Sequence, residues 1–423
     1  MTLIAGFSIN KQPFLIGDLL ISGPEQPGLR PSLPTVGDSQ MVFPEGAGFT
    51  ITGLSQKVNV LNDHLMIAWA GRSYIAKSIL RDLKTRIAAE PFTIETIKDY
   101  FESFRTSENK NEVQFAGTFM ENTKAFSFAV GCEVVANATF GDVCIGGSGT
   151  DDAKSFLRNF EPPQLLDGAN PSPLLEGISR SLMMTAHLLQ LELMSYSSLL
   201  QFYGAGYEIA SLIDGRLAKI GDVTYLFWHA DVSGNSIQLS YPYHVCRYAY
   251  RNGVLAIRSA RLRFDNSDGI LASDQGVYLV EPAFRAISDE DINAIRTNPP
   301  SMNSRFLVNL FLIRFPDGPL QWFSRIDYRS TPTTHIIFED VPQGLQIAID
   351  RRYVERLGAI IRDRIQATQV SSENSGPEVS QSALQRRFER LTSRAVMCGS
   401  KLIHKEVGDQ FCRETLHRVS RTF

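Results

Sequence analysis

The chain has 423 residues, of which 43% are hydrophobic and 21% charged, a globular composition with ample material for a large core. Lysine and arginine number 42 against 45 aspartate and glutamate, so the formal net charge is −3. This charge gives no electrostatic reason to expect nucleic acid or an anionic membrane as a partner. The length suggests two or three domains.

The opening sequence MTLIAGFSIN has no basic region and no apolar core followed by a cleavage site, so we expect no secretory signal. No apolar run reaches the ~18 to 20 residues that a membrane-spanning helix needs. A cytoplasmic protein without a membrane partner is therefore the simplest expectation. The five cysteines are scattered and form no CxxC pair, which argues against a disulfide framework and a structural zinc site. No cofactor is expected.

Hydrophobic periodicity predicts the elements of the first 140 residues. Two opening strands cover residues 2–9 and 14–21, and a loop rich in glycine and proline follows over residues 23–48. Apolar residues at every fourth position predict a helix over residues 73–88, and Thr93 is predicted to cap a second helix. Further strands are expected at residues 49–60, 65–70, 113–119, 125–132 and 134–140.

The next segment begins with the glycine-rich sequence CIGGSG at residues 144–149, which predicts a turn. Helices are expected at residues 151–160 and 174–202, separated by a proline-rich break. Strands at residues 207–213 and 224–230 are predicted to complete the second sheet of the same sandwich.

Composition divides the chain into four parts. The first domain is placed at residues 1–232, where strand pairs and helices succeed one another in a layered α+β pattern. A mostly antiparallel β-rich accessory domain is placed at 233–368 and ends in a helix over 351–367. A polar linker at 369–383 precedes a basic tail at 384–423 that is predicted to be helical.

The candidate chemistry begins at Thr2, which becomes the first residue if Met1 is removed. An N-terminal threonine carries a hydroxyl nucleophile and a free α-amine with a pKa of ~7.7 to 8.0, which can act as its own base. Asp18 ends the apolar run FLIGD, and Lys57 opens the strand that contains VNVLN. A lysine charge lowers the pKa of a nearby hydroxyl, and a carboxylate keeps that lysine charged and oriented.

Three segments carry a resemblance to a known family. The run TLIAGFSINKQPFLIGD resembles the start of mature proteasome β-subunits and of the proteolytic subunit of the bacterial ATP-dependent proteasome-like protease. The segment KVNVLNDHLMIAWAGRSYIAKSILRDL resembles the lysine strand and first helix of that family. CIGGSGTDDAKSFL resembles its GSG turn entering a helix. The resemblance covers about the first 160 residues; the loop between the first and second segments is longer than usual, and the chain after about residue 233 lies outside the pattern.

The resemblance implies an αββα four-layer sandwich of the N-terminal nucleophile hydrolase type. It further implies Thr2 as the nucleophile, Asp18 and Lys57 as its activating partners, and Ser148 near the terminal amine. Gly71 is implied as a backbone N–H donor to the oxyanion. The second acidic residue of the family has no counterpart that the sequence identifies. The implied partners are a peptide or protein substrate, further copies of the chain in a ring, and an ATP-dependent unfoldase.

Ordinary structural roles compete with these assignments. Thr2 can simply start a strand, Asp18 can cap a turn, and Lys57 can lie at a solvated strand end. Gly71 can be required only by the turn between a strand and a helix. CIGGSG lacks the GK[ST] and GxGxxG signatures, so nucleotide binding is not expected.

Other polar residues have simple interpretations. His187 and His229 are each expected to be packed and hydrogen-bonded, because no paired spacing supports a metal site. Cys144 is expected in the core. Arg386, Arg387, Arg390 and Arg394 recur at helical spacing and predict a solvated helix face; docking to a partner or to nucleic-acid phosphates is the alternative.

The function predicted from the sequence is a threonine-type N-terminal nucleophile hydrolase that cleaves amide bonds, with peptides as the expected substrates. The alternative is a catalytically inactive proteasome-fold scaffold that binds a partner through its C-terminal region. Retention of Met1 distinguishes the two, because Met1 blocks the amine.

Overall fold

A computed structural model describes the following residues of the chain: 2–44, 46–90, 92–105, 111–160, 172–234, 236–265, 269–316, 320–328, 335–341 and 344–374. Of these, the residues up to 314 and those from 320 to 358 form one compact unit, and residues 315–316 and 359–374 belong to a second. The predicted basic tail, most of the predicted linker and most of the proline-rich break lie outside the described residues.

The strands of the described residues are mostly short and antiparallel. In chain order they are β1 Leu3–Ile9, β2 Gln12–Asp18, β3 Leu20–Pro24, β4 Ser32–Leu33, β5 Gly37–Asp38, β6 Phe49–Leu54, β7 Val58–Asn62, β8 Leu65–Gly71, β9 Val113–Glu121, β10 Lys124–Val130, β11 Glu133–Asn137, β12 Gly141–Gly147, β13 Tyr207–Ile213, β14 Arg216–Ile220, β15 Val223–Ser233, β16 Ser236–Leu239, β17 His244–Arg251, β18 Val254–Asp265, β19 Gly269–Val280, β20 Phe306–Arg314, β21 Gln321–Tyr328, β22 Ile336–Val341 and β23 Gly344–Ile349.

The helices complete a mixed α/β protein. They are α1 Ser73–Ala89, α2 Ile94–Arg105, α3 Thr150–Asn159, α4 Pro173–Ser195, α5 Ser197–Leu200, α6 Asp289–Thr297 and α7 Arg351–Asn374, with a 3-10 turn at Ser39–Met41. In the described part of the chain, no helix has both the length and the apolar composition needed to cross a membrane.

Sheet 1 has the strand order β11-β12-β1-β2-β13-β14. Strand β1 is antiparallel to both neighbours, with Leu3 opposite Gly147 and Ile4 opposite Gly17. The start of β1, the end of β2 and the end of β12 therefore meet at one end of the sheet. This antiparallel register brings Thr2 and Asp18 together there.

Sheet 2 has the order β10-β9-β8-β7 and shares an apolar core with sheet 1. Ile4 and Leu15 of sheet 1 pack in the same cluster as Met66 and Ala68 of sheet 2. Helices α1 and α2 pack on the other side of sheet 2, around the buried Trp69. Both faces of sheet 2 are thus covered, which explains the nearly continuous apolar run of β8.

Helices α3 and α4 pack on the face of sheet 1 that points away from sheet 2. Alternation along β1 places Leu3 in the core beside these helices and Ile4 in the core between the sheets. Helix α4 also contacts β20 and β21, so apolar residues surround it on several sides. This position explains the long apolar sequence of α4.

Sheet 3 has the order β21-β20-β15-β17-β18-β19-β23-β22, with β16 paired to β15. Its pairs are antiparallel except for the parallel pair β15–β20. The expectation of a mostly antiparallel second region is confirmed in this sheet.

One strand assignment from the sequence is wrong. The strand predicted at residues 224–230 was expected to complete the sandwich, but β15 pairs with β17 and β20 of sheet 3. In sheet 1, β13 lies between β2 and the short edge strand β14, which the sequence interpretation missed. A turn at Gly221 and Asp222, where Asp222 has a φ of 63°, separates β14 from β15.

Three other boundaries differ from the prediction. The CIGGSG segment lies mostly in β12, and the turn is confined to its end. The predicted single helix at 174–202 is interrupted at Tyr196, whose φ of 54° ends α4. Helix α7 continues to Asn374, so the first residues of the predicted linker are helical.

The predicted loop at residues 23–48 is packed over part of its length. Leu33, Val36 and Val42 are buried in a cluster with Ile51 of β6 and Leu199 of α5. The sequence did not predict this packing, because the apolar residues lie among many glycines and prolines and do not follow the period of a strand or a helix.

Candidate active site at the start of the first strand

The structure brings three of the predicted site residues into direct contact. Thr2 precedes β1, Asp18 ends β2, and Lys57 lies just before β7. The relative exposures of Thr2, Asp18 and Lys57 are 1%, 0% and 0%. The cluster is therefore a buried polar group in which every charge requires a partner.

Lys57 Nζ is the centre of this cluster. It donates to Thr2 Oγ1 at 2.6 Å, to Asp18 Oδ1 and Oδ2 at 2.9 and 3.0 Å, and to the carbonyl oxygen of Leu20 at 2.5 Å. These three partner groups match the three N–H donors of an ammonium. Because the ammonium donates to Thr2 Oγ1, it favours the ionised form of the hydroxyl.

Backbone amides hold the Asp18 carboxylate. Leu3 N–H donates to Oδ1 at 2.8 Å, and the N–H groups of Leu20 and Gly204 donate to Oδ2 at 3.1 and 3.0 Å. Burial raises the pKa of Asp18, while the charge of Lys57 and these amides oppose that rise. Burial likewise lowers the pKa of Lys57, and Asp18 opposes the change.

A second buried carboxylate orients the backbone of Lys57. Glu208 Oε2 accepts from the N–H groups of Lys57 and Val58 at 2.8 and 3.1 Å. Glu208 Oε1 accepts from Lys219 Nζ at 2.5 Å and from the Tyr250 hydroxyl at 2.8 Å. Glu208 thereby anchors Lys57 and Val58, where the chain enters β7, to sheet 1 and to sheet 3.

Ser148 lies beside the nitrogen of Thr2. Thr2 N–H donates to Ser148 Oγ at 3.2 Å, and Ser148 Oγ–H donates to the carbonyl of Gln201 at 2.6 Å. Gly147 has a φ of +95°, and a Cβ added there would lie 2.0 Å from the carbonyl oxygen of Thr2. Glycine is therefore required for the turn that places Ser148 against Thr2.

Gly71 ends β8 with a φ of +103°. A Cβ added to Gly71 would lie 2.1 Å from the carbonyl oxygen of Glu112, so the turn into α1 requires glycine. This confirms the structural role of Gly71. Its role as an oxyanion donor stays a prediction.

Sequence inspection missed several groups around this site. Glu208, Gly204 and Gln201 lie far along the chain from Thr2, and they reach the site only because β13 pairs with β2. A buried acidic residue in the apolar strand YEIASLI was an available signal for Glu208.

The histidines and Cys144 have packed environments. His187 contacts the rings of Phe156 and Trp322, and His229 stacks on Tyr243 with centroids 4.3 Å apart. Burial lowers the pKa of His229 to about 4. Cys144 is half-buried, and burial raises the pKa of its thiol. Across the described ranges, no group of three or more His, Cys, Asp or Glu residues is arranged to hold a metal ion.

Comparison with protein-family models found no match, and comparison with curated proteins likewise found none. The assignment of function therefore depends on the geometry around Thr2.

Proposed function

We propose that this chain is a threonine-type N-terminal nucleophile hydrolase that cleaves amide bonds, with peptides as its substrates, after Met1 is removed. The observation that carries the proposal is the buried contact of Lys57 Nζ with both Thr2 Oγ1, at 2.6 Å, and Asp18. A nucleophile, a cation that lowers its pKa and a carboxylate that orients the cation form a unit suited to acyl transfer.

The proposed reaction starts with the α-amine that Met1 removal creates on Thr2. This amine takes the hydroxyl proton as Oγ1 bonds to the substrate carbonyl carbon, and it passes the proton to the departing amine when the amide C–N bond breaks. Water, deprotonated by the same amine, then attacks the ester on Thr2; the C–O bond to Oγ1 breaks, the amine returns the proton to Oγ1, and the acid is released. Ser148 Oγ lies 3.2 Å from the nitrogen of Thr2, a distance that suits a hydrogen bond to this amine.

The fold proposed for this activity is the αββα four-layer sandwich of N-terminal nucleophile hydrolases. Support comes from the core shared by sheets 1 and 2 and from the helix pairs that pack on their other sides. The N–H of Gly71 is proposed as the oxyanion donor, since a preorganised backbone donor stabilises the charge that develops on the attacked carbonyl.

The test measures the intact mass of the purified protein before and after incubation with a peptide epoxyketone, which reacts with an N-terminal threonine. We expect a mass that lacks Met1 and a single adduct located on Thr2. Thr2→Ala is the matched control, because alanine at position 2 also permits removal of Met1 but offers no hydroxyl. Asp18→Asn and Lys57→Ala should each abolish the adduct while Met1 is still removed.

Quantitative retention of Met1, or an adduct that persists in Thr2→Ala, would overturn the proposal.

A second candidate function is a non-catalytic scaffold that acts through its C-terminal region. With Met1 attached, Thr2 is 1% exposed, and this burial favours a scaffold if Met1 is retained, since a nucleophile must be reached by its substrate. Retained Met1 with no adduct is the outcome that supports it.

Self-assembly into a ring and pairing with an ATP-dependent unfoldase are proposed only from the resemblance to the proteasome family. The mass of the native particle at micromolar concentration tests the first of these. A monomer would exclude the ring.

A further inference from the structure

The segment at residues 201–206, called the Gly204 loop, has an unusual backbone. Phe202 and Ala205 have φ angles of 60° and 57°, and Gly204 and Gly206 have φ angles of 114° and 118°. Positive φ is costly for residues with a Cβ, and such a conformation persists only where surrounding contacts impose it. The Gly204 loop is therefore a segment that other residues must hold in place.

The Gly204 loop supplies two groups to the candidate active site. The N–H of Gly204 donates to Asp18 Oδ2 at 3.0 Å, and the carbonyl of Gln201 accepts from Ser148 Oγ at 2.6 Å. The carbonyl of Gly204 also accepts from Leu19 N–H at 3.2 Å. Displacement of this loop would remove a hydrogen bond from Asp18 and release Ser148 at the same time.

Glu192, on the last turns of α4, is fully buried and lies against the loop. Its Oε2 accepts from Ala205 N–H at 2.8 Å and from Ser198 Oγ at 3.2 Å, and its Oε1 accepts from Thr35 Oγ1. A Cβ added to Gly204 would lie 2.0 Å from Oε2, which shows how closely the loop approaches the carboxylate.

We propose that Glu192 is a positioning residue that holds the Gly204 loop against Asp18 and Ser148. It joins three segments: the packed part of the 23–48 region through Thr35, helix α5 through Ser198, and the loop itself through Ala205. Its importance for catalysis rests on the proposed function, whereas its effect on the loop does not.

The charge of Glu192 also acts on the site. The titratable groups that face it are Asp18, Tyr203, Tyr207, Cys246 and Tyr248. Burial raises the pKa of Glu192 to about 7, and the charge of Asp18 adds to this effect. Glutamine keeps the shape of Glu192 and one acceptor oxygen for Ala205 N–H, and its NH2 group can donate to the Thr35 hydroxyl, which can also accept. Glu192→Gln therefore removes the charge while it keeps a contact to the loop, and it separates positioning from electrostatics.

The experiment compares the full-length wild type with Glu192→Leu, Glu192→Gln and Gln190→Leu. Gln190 is the matched control, because it is also fully buried on α4 but bonds to Tyr243, the residue just before β17, and not to the Gly204 loop. Hydrogen–deuterium exchange of peptides covering residues 197–206 reports on the loop, and the rate of epoxyketone labelling of Thr2 between pH 6 and 8.5 reports on the site.

We expect at least tenfold faster exchange of the loop in Glu192→Leu, near-wild-type exchange in Glu192→Gln, and no local change in Gln190→Leu. Labelling should slow at least tenfold in Glu192→Leu and should recover in Glu192→Gln with a pH profile altered near pH 7. Gln190→Leu should keep the wild-type profile.

Equal exchange of the loop in Glu192→Leu and Gln190→Leu would overturn the proposal. If Glu192→Leu does not fold, the Thr35→Ala, Ser198→Ala double variant replaces it, because it removes two of the hydrogen bonds of Glu192. Wild-type exchange of the loop in that double variant, together with an unchanged pH profile in Glu192→Gln, would overturn the proposal as well. Absence of labelling in the wild type would reject the proposed function, and the exchange data would still decide whether Glu192 positions the loop.

Discussion

Lys57 Nζ lies 2.6 Å from Thr2 Oγ1 across 55 positions of sequence, and neither residue is more than 1% exposed. The contact exists because the end of β2 and the entry to β7 both approach Thr2, the residue just before β1. In a buried site of low effective dielectric, the attraction between a cation and a hydroxyl oxygen is stronger than in water. The relationship makes Lys57 the residue on which stability and the proposed chemistry both depend.

Lys57→Met should lower stability and labelling together. Methionine has a similar shape but leaves the buried Asp18 carboxylate without its counter-charge, a change that typically costs about 3 to 5 kcal/mol. We expect a loss of about 3 kcal/mol in the free energy of unfolding, because three backbone amides still contact Asp18. Urea denaturation measures this loss, and labelling of Thr2 should be undetectable.

Lys154→Met is the control for this prediction. Lys154 pairs with Glu133, whose side chain is 54% exposed, so the loss should be at most about 1 kcal/mol. Equal losses in the two variants would contradict the interpretation of Lys57 as the centre of a buried polar cluster.

Gly147→Ala should disturb the turn that holds Ser148 against Thr2. The added Cβ would lie 2.0 Å from the Thr2 carbonyl oxygen, and the φ of +95° is unfavourable for alanine. Gly28→Ala is the control, since Gly28 has a φ of +78° but nothing within 4 Å of an added Cβ. We expect Gly28→Ala to cost about 1 kcal/mol and Gly147→Ala at least about 2 kcal/mol more, measured by thermal or urea unfolding.

Glu208→Gln should destabilise the start of β7 through Lys219. Glutamine can still accept from the N–H groups of Lys57 and Val58, but its amide then faces the Lys219 ammonium, which is also a donor. We expect a loss of about 3 kcal/mol and slower labelling of Thr2. Combining Glu208→Gln with Lys219→Met removes the conflict and should recover at least about 1 kcal/mol in a double-mutant cycle. If the losses in unfolding free energy of the two single variants simply add in the double variant, the Glu208–Lys219 pair is not the cause of the destabilisation.

Glu192 should contribute a pH dependence to stability. Its pKa is raised from 4.5 to about 7 in the folded protein, so the folded state binds a proton that the unfolded state releases. The stability of the wild type relative to Glu192→Gln should therefore fall as the pH rises from about 4.5 to 7, by up to about 3 kcal/mol, and then level off. Urea denaturation of both proteins at pH 4.5, 6 and 8 measures this change. If the free energies of unfolding of the two proteins change in parallel with pH, the pKa of Glu192 is the same in the folded and the unfolded protein.

Local patterns predicted many elements correctly. The helix at residues 73–88 is α1, and Thr93 caps α2 through a hydrogen bond from Thr96 N–H. These signals are encoded within one or two helical turns, so they do not depend on distant residues. The assignment of β15 to a sheet failed for the opposite reason, because the local sequence of a buried apolar strand does not determine which sheet the strand will join.

The amino-acid sequence alone was enough to nominate Thr2, Asp18 and Lys57 as candidates and, through the resemblance to the proteasome family, Ser148, because each lies in a short motif that can be recognised locally. Three relationships come from the packing of the sheets: Thr2, Asp18 and Lys57 meet, Glu208 orients Lys57, and Glu192 lies against the Gly204 loop. The physical reason is that a buried carboxylate takes its partners from segments far apart in sequence. Those partners are defined only when the sheets pack and remove the carboxylate from water.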